Sequence, residues 1–571
     1  MDDVQKKFRL ESRTVGALPI VNHFLDRLHI QPLLAQYLEP SDSRCTVEPE
    51  MVLMLLLRNL IIHRHPLYGL GAWAKTMLPE VVGMNDHEID QLNDDRVGRA
   101  LDRLFDADRL ALMTELVLHM VETFAVNLQE LHNDSTTLSL HGVYRDADGR
   151  PMRGKATPEA ARGHSKDYRP DLKQLLWILT ISSDGGVPVH FKVCAGQTED
   201  SSTHIQTWSR LHDLVGHADF MYVADSKLCT RENMRHIDDR GGRFITVLPR
   251  SRKEDGLFRK WLADASPHWD PIAQWPNRRL QNGPADIIMA MESPIPDPDG
   301  FRIVWFFTSH KMQRDVDSRQ DHLTKAIAKL GTFKATLQGP RCRYHTKQGV
   351  ADSIDAILAS TKTTDFITYK VTPHQEIKYH TVQRAEITRT YRRGTKLRFD
   401  LEWTMNAKVL RDVSKSDGVF PLITNDHNLS ALEIFTAYRS KQPIVEQRHD
   451  LLKNILDATP AYLKNIGRLE ALLFLEFIAL IVHALIERQM RQQMKSSGID
   501  ALPIYHEDRP CKAPTTSRLI ELFQPIQCHS LRQGGLRVQD FPPELSDLQK
   551  TMLDLLAVDP EAYESISMRA K

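Results

Sequence analysis

Cysteine is scarce, and the few present lie far apart. Cys45, Cys194, Cys229, Cys342, Cys511 and Cys528 form no CxxC pair and stand near no spaced histidine cluster. That pattern excludes a zinc knuckle and a disulfide-stapled scaffold. An excess of either charge is also missing. Lys+Arg and Asp+Glu both total 74, so any surface that binds phosphate must gather its positive charge locally. Uninterrupted apolar runs of membrane-spanning length are lacking too. Met51–Leu57 stops at Arg58, and Leu469–Ile486 carries Glu476 and His483 mid-run, whereas a span needs roughly 18 or more continuous apolar residues. Both segments read as buried helices, and no membrane partner is expected. The opening MDDVQKKFRLESR is charged and has no apolar signal stretch, so a cytoplasmic location is expected. Internal repeats and low-complexity tracts are absent.

What remains is an ordinary globular composition, 41% hydrophobic and 26% charged over 571 residues. At about 150 residues per unit, that length suggests three or four domains. Residues 1–127 show apolar positions at three- and four-residue steps through Ile20–Leu38, Met51–Ile62 and Val97–Phe105, the spacing of amphipathic helices. Within them, Leu92–Leu101 offers a polar cap followed by an amphipathic helix. It fits the second helix of a DNA-reading pair, and it fits a plain packing helix at least as well.

From about 128 the pattern becomes strand-like. A strand ends at Leu131-His132-Asn133-Asp134-Ser135-Thr136-Thr137; Leu175–Ile181 and Val187–Val193 flank the turn Asp184-Gly185-Gly186 as a hairpin. A helix over Thr203–Leu214 follows, then a strand ending directly on Asp225, a helix over Arg231–Asp239, and a strand over Phe244–Leu248. This order resembles the ribonuclease H-like fold. The expected architecture is α+β and multidomain. A helical N-terminal DNA-binding domain spans 1–127 and the first part of the core 128–250. A β-rich insertion spans 251–427, with one helical hairpin near Asp321–Leu337. The second part of the core spans 428–492, and a helical C-terminal region suited to dimer contacts spans 493–571.

Carboxylates converging from separate elements suit a hard divalent cation. Asp134 and Asp225 fall on strands that lie side by side in such a core, although an aspartate at a strand end is also an ordinary turn residue. A third carboxylate belongs on the later helix. At about 100° per residue, Ile444, Val445, Leu451, Leu452, Ile455 and Leu456 share one arc. Glu446 and Lys453 stack outside it, and His449 borders it. A solvated charged face gives the same pattern, and Asp450 and Glu433 are rival third carboxylates.

Several segments resemble bacterial insertion-sequence transposases of the DDE type, in which a β-strand insertion precedes the glutamate. They are Asp134–Thr137, Gly163–Gln174, Tyr222–Ser226, Asp417–Asn425 and the helix bearing Tyr438, Glu446 and Lys453. The resemblance covers about 15–490. It implies that Asp134, Asp225 and Glu446 are catalytic and bind two Mg²⁺ ions, with Mn²⁺ able to substitute. Tyr438, Lys441 and Lys453 would contact phosphate, Lys441 standing where the family has arginine and Arg439 being the alternative. The implied partners are double-stranded DNA, as terminal inverted repeats and target, and a second copy of the chain in a synaptic complex. That would make the protein nucleoid-associated.

Positive charge gathers in two places. Arg384, Arg389, Arg392, Arg393, Lys396 and Arg398 face only Glu386 across a stretch holding Tyr391 and a turn at Gly394, a basic hairpin suited to a DNA backbone. His164, Lys166, Arg169 and Lys173 mark a second stretch suited to a DNA end. Trp403 reads as a base-stacking residue or, more simply, as core. Rival functions are a nuclease that does not join strands, an inactive DNA-binding relic and a metal-dependent phosphatase.

Overall fold

The computed structural model describes residues 8–40, 46–62, 66–163, 169–277, 283–384, 387–458, 463, 465–533 and 536–565. The chain is mixed α/β and multidomain, and it divides into two compact units. One comprises Met1–Thr246 with Thr436–Lys571, the other Val247–Phe435. Among the described residues the strands are β1 Phe8–Thr14, β2 Glu130–Leu140, β3 Lys173–Ser182, β4 Pro188–Ala195, β5 Met221–Ala224, β6 Arg243–Val247, β7 Asp270–Trp275, β8 Asp286–Glu292, β9 Arg302–Thr308, β10 Ile367–Arg384, β11 Ile387–Met405, β12 Val419–Thr424, β13 Gln527–Gln533 and β14 Leu536–Phe541. Three helices matter most below: α1 Asp94–Asp106, α2 Ala431–Ala458 and α3 Ile466–Ser496.

In the first unit the strands lie in the order β4-β3-β2-β5-β6. β2, β3 and β4 are antiparallel in turn, whereas β5 runs parallel to β2 and β6 parallel to β5. Residues Gln174–Ser182 of β3 are all buried, as a strand covered on both faces must be. The turn into β4 needs its glycines. Gly185 and Gly186 have φ of 80° and 66°, and a Cβ on Gly186 would come within 2.3 Å of the Ile444 side chain. A left-handed backbone under a packed helix leaves room for nothing larger.

α3 is long and apolar enough to cross a membrane by length and composition, yet 94% of its most apolar window is buried inside the protein. Phe474 and Phe477 meet Phe191 of β4 with ring centroids 6.0 and 4.7 Å apart. α1 packs on α3 and on the helix Pro49–Ile62. Asn93 caps it by accepting the Arg96 N–H at 2.9 Å. Gly98 lets the Arg468 guanidinium lie against its backbone, where a Cβ would sit 2.4 Å from a guanidinium nitrogen, and Arg468 pairs with Asp102 through two bonds of 2.9 and 2.7 Å. The packing expected of Leu92–Leu101 is present, with Val97, Ala100 and Leu101 buried.

Expectation and structure part at both termini. The first strand, β1, pairs along its whole length with β13, which pairs with β14, so neither terminal region is wholly helical. Phe8 and Leu10 remain about 60% exposed, and a strand with no buried face carries no clear alternation to read.

In the second unit β12, β9, β8 and β7 form an antiparallel run, packed around Trp305, Phe258, Phe306 and Phe435. An unforeseen helix, Lys253–Asp264, supplies Phe258. The helical hairpin expected near Asp321–Leu337 is one helix, Ser309–Gln338, followed by a second, Lys347–Ser360. Both pack on the base of a ribbon of β10 and β11, through Leu330, Ile354, Phe399 and Leu401. The two strands expected either side of Gly394 are one strand. Gly394 pairs with Lys378, and a bulge follows at Lys378/Tyr379. A glycine inside a strand marks such an irregularity as readily as a turn.

Two outcomes follow for stability. Arg448 of α2 is buried and donates to the carbonyls of Gly186 and Gly185 and to Glu487 of α3, at 3.1, 3.3 and 2.9 Å. Arg448→Ala leaves Glu487 to the Thr516 N–H at 3.2 Å and Arg491 at 3.6 Å and strips two carbonyls of their donor, which should cost about 1–3 kcal/mol; a urea-unfolding loss below about 0.5 kcal/mol would contradict this. Burial pushes the Glu470 carboxyl up to about 7, despite Arg109 at 2.7 Å. Its proton therefore binds more tightly in the folded chain, so the contribution is complete below about pH 4.5 and fades as pH rises through 7. Glu470→Gln removes that dependence, and the Tm of the variant minus that of the wild type should grow over that range. A flat difference would contradict the assignment.

Candidate active site

The pairing of β2 with β5 fixes two aspartates side by side. Its register runs from Glu130 opposite Met221 to Asn133 opposite Ala224, so Asp134 and Asp225 are the next residues on strands about 4.8 Å apart. Asp134 Oδ1 accepts the Ser135 N–H at 2.8 Å, and its Oδ2 is 3.8 Å from His449 Nε2 on α2. Asp225 ends its strand: its Oδ1 accepts the Lys227 N–H at 3.0 Å, and its carbonyl accepts the Thr246 hydroxyl at 2.6 Å.

α2 brings the other residues. From 438 to 454 its buried residues are Gln442, Val445, Arg448, His449 and Leu452, so the expected apolar arc is half polar there. Val445 and Leu452 belong to it, Ile444 and Leu451 are half-buried, and the side chains of Ile455 and Leu456 lie outside the described residues. At about 100° per residue, Tyr438, His449, Gln442, Lys453 and Glu446 follow one another along the edge of that face within about 80°. Glu446 is exposed and Lys453 half-buried. Burial raises the Tyr438 pKa, and the charges of Asp225, Asp134 and Glu446 push the same way, against Arg439. One phenol thus senses all three carboxylates.

Of the rival carboxylates, Glu433 is engaged as a cap, accepting the Ser430 N–H and hydroxyl, each at 2.7 Å, and Asp450 is exposed. Lys441 is held by Glu130 at 3.1 Å. Among the described residues no three His, Cys, Asp or Glu side chains are gathered closely enough to hold an ion as they stand. The donor chemistry nevertheless fits a hard cation. Two carboxylates have fixed backbones on adjoining strands, and Glu446 is exposed on the helix edge shared with Tyr438 and Lys453.

His164 and Lys166 lie outside the described residues. Arg169 makes a two-bond pair with Asp171, both bonds 2.9 Å, and Lys173 donates to the Tyr144 carbonyl at 3.2 Å. On the ribbon of the second unit Arg389 is exposed, as are Tyr379 and Tyr391 at 64% and 52%. The side chains of Arg392 and Arg393 lie outside the described residues. Arg398 is no surface charge: it is buried, pairs with Glu376 at 2.8 Å and donates to the Gly339 carbonyl at 2.6 Å. Lys396 reaches the carbonyls of Pro340 and Cys342. Both anchor the ribbon. Trp403 packs against the insertion core with Lys334 over its ring, the simpler of its two readings.

Sequence reasoning passed over Glu130, His132 and Arg448. A signal existed, because Glu130, His132 and Asp134 alternate along β2 and so share one face.

A family model described as a domain of unknown function, DUF4277, matches residues 10–118. No curated protein matches the chain. Among solved structures, the piggyBac transposase synaptic complex with hairpin DNA aligns over 97% of this chain and 83% of that one, with 7% identity and a TM-score of 0.35. A pre-cleavage Mos1 transpososome aligns over 36% and 60%, with 11% identity and a TM-score of 0.14. The Mos1 mariner paired-end complex with Mn aligns over 39% and 65%, with 10% identity and a TM-score of 0.14. These likenesses are remote, and no residue's role is carried across from them.

Proposed function

We propose that this chain is a DDE-type transposase of a bacterial insertion sequence, cutting DNA at the element's ends and joining those ends to a target. The observation that carries this reading is the position of Asp134 and Asp225, each the residue just after the last register pair, Asn133 with Ala224, of the parallel β2–β5 strands, with the charges of both and of Glu446 raising the Tyr438 pKa. The strand order β4-β3-β2-β5-β6 supports a ribonuclease H-like core. A unit of helices and strands, Val247–Phe435, lies between Asp225 and Glu446 in the chain, which supports the insertion suggested by the sequence segments.

Asp134, Asp225 and Glu446 would hold two magnesium ions, for which manganese substitutes. Such ions supply activation of the attacking oxygen and stabilisation of the leaving one. Tyr438 and Lys453, on the same helix edge, would orient the phosphate, the phenol remaining protonated and so able to donate a hydrogen bond. In the first step water attacks phosphorus, the P–O3′ bond breaks, and a 3′ hydroxyl is released. In the second that hydroxyl attacks a target phosphodiester, a new P–O bond forms, and a target 3′ hydroxyl departs. Arg389, Arg392 and Arg393 on the ribbon, with Arg169 and the neighbouring His164 and Lys166, would contact the DNA backbone. Two copies of the chain would hold two ends together.

The test uses the full chain with DNA carrying the element's ends. With Mg²⁺, nicked and joined products are expected, and chelation abolishes both. Asp225→Asn should reduce them by more than about 100-fold, the loss that even outer partners of a metal site can produce. Nicking without joining would reject strand transfer, and full activity of Asp225→Asn would reject the site. For the ribbon, Arg389→Ala should lower the slope of log affinity against log salt by about 1. An unchanged slope would remove that arginine from the DNA surface.

A further inference from the structure

β2 presents Glu130, His132 and Asp134 on one face, and each meets a polar residue of α2. Lys441 Nζ is 3.1 Å from Glu130 Oε1. His132 contacts Glu130 at 2.8 Å through Nε2 and Gln442 at 3.4 Å through Nδ1, and His449 stands 3.8 Å from Asp134. The His132 side chain is wholly buried, as are Gln442 and His449 but for a few per cent. Burial works to raise the Glu130 carboxyl, yet His132 and Lys441 outweigh it and hold it below its ordinary value.

A seam of this kind is an odd choice for stability alone, because apolar side chains of similar volume would often serve as well. Its use lies in register. Apolar faces tolerate sliding and rotation, whereas Glu130, His132, Lys441 and Gln442 meet their polar partners in one register only. α2 needs such a device. Pro443 lies inside the helix, where it removes one backbone hydrogen bond and crowds the preceding turn. The weakened turn is Arg439–Pro443, which carries Lys441 and Gln442 and precedes Glu446. Partners within and after it, at 441, 442 and 449, hold the helix at its weak point.

We propose that Glu130, His132, Lys441 and Gln442 are positioning residues, forming a polar seam that fixes α2 on β2 in the register that brings Glu446 to the two aspartates. Lys441 is then a strut to Glu130 and not a contact to phosphate. The catalytic consequence rests on the transposase reading; the structural claim does not.

The experiment compares the wild type with Lys441→Ala, Glu130→Ala, the double alanine variant and the charge exchange Glu130→Lys with Lys441→Glu. Hydrogen exchange across 436–458, which needs no catalysis, should accelerate in either single variant while β3 and α3 stay protected. The double variant should add little, and the exchanged pair should restore protection. End cleavage should fall about 10- to 100-fold in the single variants and recover in the exchange, with DNA affinity and its salt slope unchanged. Unaltered exchange in Lys441→Ala overturns the seam. So does a result in which Lys441→Ala weakens DNA binding and lowers the salt slope by about 1 while Glu130→Ala does neither, since that is the behaviour of a phosphate contact. Should the wild type neither bind nor cut DNA, the functional reading falls and the exchange data still decide the seam.

Discussion

Everything in the candidate site depends on β5 pairing parallel to β2. Parallel neighbours cannot be joined by a tight turn, so the chain must leave the sheet and return through a crossover. Here the β3–β4 hairpin and the helix His204–Val215 fill that path. The return delivers Asp225 to the end of a short, fully buried strand, next to the residue at which β2 carries its own aspartate. Two carboxylates so close repel one another. The arrangement persists because four buried residues, Met221–Ala224, pin the strand and backbone donors satisfy one oxygen of each aspartate.

The second constraint is the polar character of α2. A helix packed on a sheet normally buries an apolar stripe, but from 438 on this one buries Gln442, Arg448 and His449 beside Val445 and Leu452. Arg448 ties it to the β3–β4 turn and to α3, and its other polar groups face β2. Such a face gives up packing energy for a unique seat. Departures of this sort from the ordinary local rules gather where a protein must hold chemistry in place.

The core was legible where burial enforces a period. β3 announced itself as a continuous apolar run, the Asp184-Gly185-Gly186 turn as a hairpin, and β5 as an apolar segment halting on Asp225. What stayed hidden has physical reasons. β1 and β14 expose much of their surface, so they carry little hydrophobic signal. Gly394 reads as a turn, but long-range pairing with β10 carries the strand straight through it. Arg448 was passed over and Arg398 and Lys441 read as DNA contacts, because their carboxylate and carbonyl partners are distant in sequence and only the fold brings them near. The polar stripe of Glu130, His132 and Asp134 was visible in principle, since alternation on a strand is a local property; its meaning needed α2 in place.

The most direct measurement is the anomalous scattering of Mn²⁺ in crystals of the full chain. The account predicts ions bound by the carboxylates of Asp134 and Asp225, with Glu446 turned in to the same ions. Ions bound elsewhere, or Glu446 directed away from an occupied aspartate pair, would contradict it.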